Sequence, residues 1–415
     1  NNMRRVVVTG MGIITALGCG VDDNWKNLIS STSGIKLIDS FNIDDLPSKI
    51  GGTISEKLIE SNFSDKEKRK MDKFILYSLI ATEEAIKSSG YTINNEIESS
   101  RSGVIIGSGI GGLSTIYDNS IILEKEGPRK ISPFFIPSSL INLASGQVSI
   151  KYNFKGPNHS TVTACASGAH AIGDSFRLIQ LNKADVMVAG GAEAAICRIG
   201  MAGFCALRAL STKYNDKPKN ASRPFDDDRD GFVMGDGAGI LILEEYEHAK
   251  KRNANIIAEI VGYGSSGDAH HITSPPEDGN GAERCVLSAL EDAKKNPEDI
   301  DYINAHGTST PVGDKIEIKS IKKIFSKNLK RTKMSSTKSS IGHLLGASGS
   351  VEAIYSILSI KNNQLPPTLN LTSPLSDSEG IDLIPLNSID HKVDSVLSNS
   401  FGFGGTNASL IFKSI

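Results

Sequence analysis

The chain of 415 residues lacks several features that would place it in a specialised class of protein. It contains five cysteines and no CxxC pair, which excludes a disulfide scaffold and indicates a reduced, intracellular protein. No apolar run approaches the roughly 20 residues needed to cross a bilayer, so we expect a soluble protein without membrane insertion. An excess of one charge is also missing, since 45 Lys and Arg face 47 Asp and Glu. This balance gives no reason to expect a nucleic-acid partner.

Short β-branched runs alternate with helical patterns along most of the chain. Strands are predicted over residues 5–9, 103–106, 186–189, 240–243, 256–261, 301–304 and 396–397, and helices over 68–87, 166–181, 282–295, 315–325 and 347–361. This alternation predicts a layered α/β fold. Two of the strands run into similar glycine turns, near residues 5 and 258, which hints at a duplicated half.

Three short segments each present one reactive side chain among small residues. They are Thr-Ala-Cys165-Ala-Ser-Gly, Asn-Ala-His306-Gly-Thr-Ser-Thr and Lys338-Ser-Ser-Ile-Gly-His343. A thiol and two imidazoles in such settings suggest carbon chemistry on a thioester.

Cys165 stands between a β-type lead-in and the start of a predicted helix. The positive end of a helix dipole favours the thiolate, so we expect this thiol to ionise near neutral pH without an adjacent base. The alternative is that Cys165 is simply a small buried hydrophobe.

The two histidines also occupy positions typical of functional residues. His306 follows an apolar strand, where α/β proteins place functional side chains, and His343 lies between Gly342 and a predicted helix. Either ring could instead be a structural hydrogen-bonding group. Cys165 and these histidines include no close-spaced ligand pair, so no metal site is predicted.

A further motif supports a different class of enzyme. Gly107, Gly109 and Gly112 satisfy the GxGxxG pattern after a predicted strand, as in a dinucleotide-binding oxidoreductase using NAD. The following segment, Glu-Lys-Glu-Gly-Pro-Arg-Lys, provides no second apolar strand ending in an acidic residue. This argues against the NAD-dependent alternative.

Taken together, the ordered motifs resemble one family. The chain is similar to the β-ketoacyl-acyl carrier protein synthases of the discrete, type II fatty-acid system, in the thiolase superfamily, and most similar to their synthase II subgroup. The resemblance runs from Val-Val-Val-Thr-Gly-Met-Gly at the start to Asn-Ser-Phe-Gly-Phe-Gly-Gly-Thr-Asn at 399–407. Arg-Pro-Phe-Asp at 223–226 and Arg-Asp-Gly-Phe-Val-Met-Gly at 229–235 belong to it as well.

The resemblance implies a thiolase-like fold. Two duplicated βαβαβαββ halves would form an αβαβα five-layered arrangement, with residues 1–257 carrying the nucleophile and residues 258–415 carrying the two histidines. A homodimer formed through the sheets is also implied.

The implied activity is that of an acyltransferase performing a decarboxylating Claisen condensation, without metal or redox cofactor. Cys165 would accept the acyl group, and the backbone amides of Cys165 and Phe403 would form the oxyanion hole. Neutral His306 and His343 would stabilise the enolate left when malonyl-carrier protein loses carbon dioxide. The family equivalence also pairs Lys338 with Glu317.

Other positions take their expected roles from the same resemblance. Glu352 would be structural or would support a proton network, and Thr308 and Thr310 would hydrogen-bond the phosphopantetheine arm. Phe401 and Phe403 would lie in a mobile glycine-rich loop, with the second ring gating the acyl pocket. Ile110 is the candidate for controlling acyl-chain length.

The implied partner is an acidic acyl carrier protein, which would need positive charge near the tunnel mouth. The matching basic positions are Arg69, Lys70, Arg129, Lys130 and Arg208, with Lys66 and Lys68 beside them. A synthase I enzyme of the same chemistry stays open as an alternative, as does a non-catalytic chain-length subunit, although such subunits typically lack the nucleophile. The compartment is expected to be cytoplasm or a plastid-type organelle.

Overall fold

The structure, a computed structural model, describes residues 2–415. Its strands are β1 (Val6–Thr15), β2 (Gly18–Cys19), β3 (Lys36–Leu37), β4 (Ile50–Gly51), β5 (Ser102–Gly107), β6 (Asn158–His159), β7 (Val186–Glu193), β8 (Gly237–Glu245), β9 (Ala258–Gly267), β10 (Tyr302–Asn304), β11 (Met334–Ser335), β12 (Gln364–Leu365), β13 (Ile389–Asp390), β14 (Ser395–Gly402) and β15 (Thr406–Lys413).

Helices connect most of these strands. They are α1 (Val21–Ile29), α2 (Glu56–Asn62), α3 (Asp65–Lys70), α4 (Lys73–Ser89), α5 (Glu96–Ser100), α6 (Leu113–Glu126), α7 (Phe135–Ser139), α8 (Leu143–Tyr152), α9 (Ser167–Gln180), α10 (Arg198–Ala206), α11 (Tyr246–Lys251), α12 (Asn280–Ala293), α13 (Pro311–Ile324), α14 (Lys338–Ile341) and α15 (Ser348–Asn362). No helix within residues 2–415 is long and apolar enough to cross a membrane.

Ten of the eleven strands of the main sheet form two five-stranded halves with the same topology, and the eleventh, β2, pairs with β1. One half has the spatial order β6-β5-β7-β8-β1 and the other β11-β10-β14-β15-β9, so that each reads 3-2-4-5-1 when its strands are counted along the chain. The first strands of the halves, β1 and β9, pair antiparallel and join them into one continuous sheet. The major elements follow the order βαβαβαββ twice.

Helices cover both halves and fill the space between them. α4 packs on β1, β7 and β8, while α12 packs on β9 and β15. Between the halves lie α9 and α15, which contact each other and strands of both halves. Every residue of α15 from Ser348 to Ile360 is buried, as a helix at the centre of five layers requires. The core therefore surrounds the two helices that follow the candidate catalytic segments.

One predicted helix is wrong in detail. Residues 68–87 were expected to form a single helix, but α3 ends at Lys70 and α4 begins at Lys73. The side chain of Asp72 accepts a hydrogen bond from the amide of Phe74, so it caps a new helix. Asp72, a helix-capping residue inside the apolar periodic pattern of residues 68–87, therefore marks the boundary between α3 and α4.

Candidate active site

Cys165 lies in a tight turn, Ala164–Ala166, immediately before α9. Ala164 has a φ of 50°, in the left-handed region that non-glycine residues seldom adopt. The hydroxyl of Ser167 donates to the carbonyl of Ala164 at 2.7 Å and accepts from the amide of Thr163 at 2.9 Å. These bonds hold the strained turn that presents the thiol at the end of the helix.

The ring of His343 lies against the thiol. Its Nε2 lies 3.1 Å from Cys165 Sγ, while its Nδ1 lies 2.8 Å from the hydroxyl of Ser348 and 3.3 Å from the amide nitrogen of Leu345. An amide N–H can only donate, so Nδ1 is the acceptor, and the neutral ring carries its proton on Nε2, facing the sulfur. The backbone of His343 is fixed by its amide, which donates to the carbonyl of Val233.

His306 follows β10 and lies beside His343, with the ring centroids 5.4 Å apart and the planes nearly perpendicular. Its Nδ1 is buried, and within residues 2–415 no group hydrogen-bonds either ring nitrogen. Glu317 on α13 accepts hydrogen bonds from the amides of His306 and Gly307 at 2.8 and 2.7 Å. Glu317 therefore holds the backbone that presents the ring.

The expected pairing of Lys338 with Glu317 is wrong. Lys338 Nζ lies 2.8 and 3.0 Å from the two carboxylate oxygens of Glu352 on α15, and both side chains are 1% exposed. Glu317 is already occupied by the two backbone amides, and burial raises its pKa to about 7. The helix after His343 thus supplies the counter-ion, and Glu352 has a defined structural partner.

The electrostatics of the thiol also differ from expectation. Burial raises the pKa of Cys165 to about 11, whereas the amides of Phe403 and Cys165 and the charge of Lys338 favour the thiolate. The pKa values of His306 and His343 are well below the ordinary value, because burial and the nearby Lys338 ammonium both disfavour a second positive charge. Burial therefore favours a neutral thiol beside two neutral imidazoles. The expected thiolate at neutral pH without an adjacent base is not supported.

Phe403 occupies the turn between β14 and β15, next to Gly404 and Gly405, whose φ values are 89° and 72°. Phe401 lies at the end of β14, with its ring centroid 5.6 Å from that of His306. A Cβ on Gly402 would lie 2.8 Å from the carbonyl oxygen of Thr163 and 3.3 Å from the amide nitrogen of Cys165. Glycine is required here, because the hairpin backbone packs directly on the turn that carries Cys165.

A cavity of about 490 Å³ opens at these residues. Its lining includes Cys165, His306, His343, Phe401, Phe403, Thr308, Thr310, Ile110 and Arg208. The hydroxyls of Thr308 and Thr310 lie 2.9 Å apart. The structure therefore brings together nearly every residue expected to contact substrate.

The remaining basic positions lie away from the cavity lining. Arg69 and Lys70 end α3, and Arg129 and Lys130 lie in a short 3₁₀ turn after α6. Arg69, Arg129 and Lys130 are exposed, whereas Lys70 is half-buried and lies over the ring of Phe134. Their role as a docking surface stays a prediction.

Sequence reasoning missed Glu193, a fully buried carboxylate at the end of β7. It accepts hydrogen bonds from the amides of Gly109, Ile110 and Gly111. The amides of the glycine-rich loop are thus occupied by a carboxylate of the protein itself. This argues against the dinucleotide-binding alternative, in which those amides would face a pyrophosphate.

Sequence reasoning also misses Phe232, which lies in the Arg-Asp-Gly-Phe-Val-Met-Gly segment at 229–235. Its ring lies 5.2 Å from that of His343, edge to face. Within residues 2–415 no group of three or more His, Cys, Asp or Glu side chains is arranged to hold a metal ion.

Comparison with known proteins identifies the family. Residues 3–249 match the beta-ketoacyl synthase N-terminal domain, and residues 257–372 match the C-terminal domain of the same family. The chain therefore belongs to the β-ketoacyl synthase family.

Two curated relatives and two solved structures indicate the particular branch. The chain is 53% identical to 3-oxoacyl-[acyl-carrier-protein] synthase 2 of Rhizobium meliloti, over 99% of each protein. It is 48% identical to the mitochondrial 3-oxoacyl-[acyl-carrier-protein] synthase of Arabidopsis thaliana, over 99% of this chain and 94% of that protein.

Among solved structures, a beta-ketoacyl synthase from Burkholderia phymatum superposes with a TM-score of 0.90 at 37% identity, covering all of both chains. A type II polyketide ketosynthase, solved in complex with its acyl-carrier protein, superposes with a TM-score of 0.91 at 32% identity, also covering both chains fully. The expected thiolase-like fold is confirmed.

Proposed function

We propose that this chain is a 3-oxoacyl-[acyl-carrier-protein] synthase, which elongates a carrier-bound acyl chain by two carbons. The observation that carries the proposal is the 3.1 Å contact between Cys165 Sγ and His343 Nε2 at the floor of the 490 Å³ cavity, beside His306. A nucleophile and two hydrogen-bond donors within one enclosed space suit a reaction that first forms a thioester and then an enolate. The name of the Rhizobium meliloti relative supports the same activity.

In the first half-reaction, Cys165 attacks the thioester carbonyl of the acyl-carrier protein. The carbonyl oxygen gains negative charge, which the amides of Cys165 and Phe403 stabilise, since both already face the sulfur. The carrier thiol leaves with the proton of Cys165. Because the thiol is neutral at rest, its proton must be lost during attack rather than before it.

In the second half-reaction, malonyl-carrier protein loses carbon dioxide, and the electrons of the broken bond form an enolate. His306 and His343 donate N–H hydrogen bonds to the enolate oxygen. Because both rings are neutral, they do this without placing a positive charge in the resting site. The enolate carbon attacks the acyl-Cys165 carbonyl, and the carbon–sulfur bond breaks to release β-ketoacyl-carrier protein and the Cys165 thiolate. A proton taken up from water returns the thiolate to the thiol. In each step, N–H groups of the protein stabilise the negative charge that develops on oxygen, so we propose no metal or redox cofactor.

The surrounding residues support these steps. Lys338 is proposed to keep both imidazoles neutral by its charge, with Glu352 holding it in place. Thr308 and Thr310 would hydrogen-bond the phosphopantetheine arm along the cavity wall. Ile110 would set the acyl length that the pocket admits.

The loop of Phe401 and Phe403 would control entry to the acyl pocket. Both rings line the cavity, and the glycines beside Phe403 permit the backbone to change conformation.

We further propose that the carrier docks through Arg69, Lys70, Arg129, Lys130 and Arg208, and that the protein forms a homodimer. Helix α6 supports the dimer, since its fourteen residues include none that is buried, and Ile116 and Leu123 on it are exposed.

The two sheet halves support a division of the chain into residues 1–257 and 258–415. Bacterial and mitochondrial relatives support an intracellular site of action.

The test is to incubate the protein with malonyl-carrier protein and a ladder of acyl-carrier primers. We expect an acyl adduct on Cys165 and products two carbons longer than each accepted primer, both read by mass spectrometry. The ladder also separates the synthase I and II alternatives. Absence of both adduct and product would overturn the proposal.

A further inference from the structure

Glu193 is a buried carboxylate at the end of β7, and it is 0% exposed. Its oxygens accept hydrogen bonds from the hydroxyl of Ser108 at 2.8 Å and from the amides of Gly109 at 2.8 Å, Ile110 at 3.2 Å and Gly111 at 3.2 Å. A fifth bond comes from the amide of Gly346 at 3.0 Å. Four of the five donors thus lie in the loop of residues 108–111. The fifth, Gly346, lies in a second loop far along the chain.

The two loops also contact each other directly. A Cβ on Gly346 would lie 2.2 Å from the amide nitrogen of Gly109, and a Cβ on Gly109 would lie 2.7 Å from a carboxylate oxygen of Glu193. No side chain fits between the two loops, so the backbones of Gly109 and Gly346 pack directly against each other and against the carboxylate of Glu193.

Each loop leads to a different part of the site. Gly346 follows Leu345, whose amide donates to His343 Nδ1 from a left-handed conformation with a φ of 49°. A continuous path of bonds therefore runs from Glu193 through this turn to the imidazole that faces Cys165. The other loop carries Ile110, which packs in one apolar cluster with Cys165 and Leu345.

We propose that Glu193 is a positioning residue that couples the acyl pocket at Ile110 to the His343 ring, and so is a determinant of acyl-chain selectivity. This inference rests on the proposed function, because it assigns Ile110 to the acyl chain. It does not require Glu193 to touch substrate. An acyl chain that displaces Ile110 pulls on the carboxylate that also orients the turn after His343.

The chemistry of the site requires a carboxylate. An ionised carboxyl group only accepts hydrogen bonds, and it has lone pairs for several donors on both oxygens. Within residues 2–415 no Lys, Arg or His forms an ion pair with Glu193, so its charge depends on the five donors. Glutamine has the same shape, but its NH₂ group would face N–H donors at one end.

The experiment compares kcat/KM for two acyl-carrier primers that the wild type distinguishes strongly. We expect Glu193→Gln to move the ratio of the two values toward one by about fivefold or more, because a loosened pocket loop discriminates less between chain lengths. The ratio cancels the concentration of folded enzyme, so a loss of stability alone does not change it. Ser108→Ala removes one donor and keeps the carboxylate, and should shift the ratio in the same direction by less.

Glu244→Gln is the matched control. Glu244 is equally buried on the adjacent strand β8, but it is paired with Arg252 and His248 at the opposite end of β7, across from Val186. It should lower the melting temperature and leave the primer ratio unchanged. A double variant of Glu193→Gln with Ile110→Ala should show less than the summed change in the ratio, since both act on one loop.

The two possible failures are distinct. If the wild type forms no elongated product, the proposed function is wrong. If the wild type is active but Glu193→Gln and Ser108→Ala both keep its primer ratio, Glu193 only stabilises the fold and the inference is overturned.

Discussion

Lys338 and Glu352 form a salt bridge at the centre of the molecule, with Nζ 2.8 Å from the nearer carboxylate oxygen and both side chains 1% exposed. Breaking a buried ion pair by removing one partner leaves an uncompensated charge, which costs about 3–5 kcal/mol. We therefore expect Lys338→Met to lower the free energy of unfolding by about that amount. Urea denaturation of the variant measures it.

The matched control is Lys333→Met. Lys333 pairs with Asp382 at 2.9 Å, but the two side chains are 22% and 37% exposed, so this loss should cost about 1 kcal/mol or less. The double variant Lys338→Met with Glu352→Leu should recover much of the stability. Equal losses for Lys338→Met and Lys333→Met would contradict the buried pairing.

The raised pKa of Cys165, about 11, predicts its reactivity as a function of pH. Only the thiolate reacts with iodoacetamide, so alkylation of Cys165 should be slow at pH 7 and should still be rising at pH 9, by about tenfold per unit. Lys338→Met removes a cation that favours the thiolate and should displace the curve to higher pH. Peptide mass spectrometry follows Cys165 separately from the exposed Cys19. If the alkylation rate instead reached a plateau below pH 8, Cys165 would be a thiolate near neutral pH, as its position at a helix start predicts.

Cys165→Ala removes the acyl acceptor but leaves both imidazoles. Condensation should be abolished, whereas decarboxylation of malonyl-carrier protein should persist because His306 and His343 keep their N–H groups. Carbon dioxide release and product mass are measured in the same reaction. Full elongation by this variant would refute the nucleophile assignment.

His343→Ala tests the other half of the chemistry. Acylation of Cys165 should stay measurable, because the amides of Cys165 and Phe403 proposed as the oxyanion hole are backbone groups, but decarboxylation should fall by about a hundredfold or more. Radiolabelled malonyl-carrier protein gives the carbon dioxide yield, and intact mass gives the acyl adduct. An unchanged yield would count against the enolate role.

The sequence predicts the candidate reactive centre because each of its groups lies in a local pattern. Cys165, His306 and His343 each lie among small residues in a turn after a strand or before a helix, and such turns are readable from neighbouring residues. The strand-to-glycine starts near residues 5 and 258 also correspond to β1 and β9, the equivalent strands of the two halves.

The partners of these groups could not be found in the same way. Which carboxylate meets Lys338 depends on how α13 and α15 pack, and nothing local separates Glu317 from Glu352. Glu193 was missed because its donors come from residues 108–111 and 346, distant in sequence. β15 was missed because its first half, Thr-Asn-Ala-Ser, lacks β-branched apolar residues and owes its strand conformation to pairing with β9 and β14.

The basic residues outside the cavity predict a binding surface that acts before the chemistry. Arg129 and Lys130 are exposed and make no salt bridge within residues 2–415, so their charge is free to attract an acidic carrier. Reversing both, as Arg129→Glu with Lys130→Glu, should raise KM for carrier-bound substrates by about tenfold at low salt and less at high salt. Steady-state kinetics at two ionic strengths measures the change.

Small pantetheine thioesters provide the control substrate for that variant, because they bypass carrier docking and should retain their KM. Lys361→Glu is the control substitution, since Lys361 is exposed near the far end of α15, roughly 20 Å along the helix from Ser348. It should leave both classes of substrate unaffected. If the double reversal raises KM for pantetheine thioesters as much as for carrier substrates, the two residues act on the site itself and do not form a docking surface.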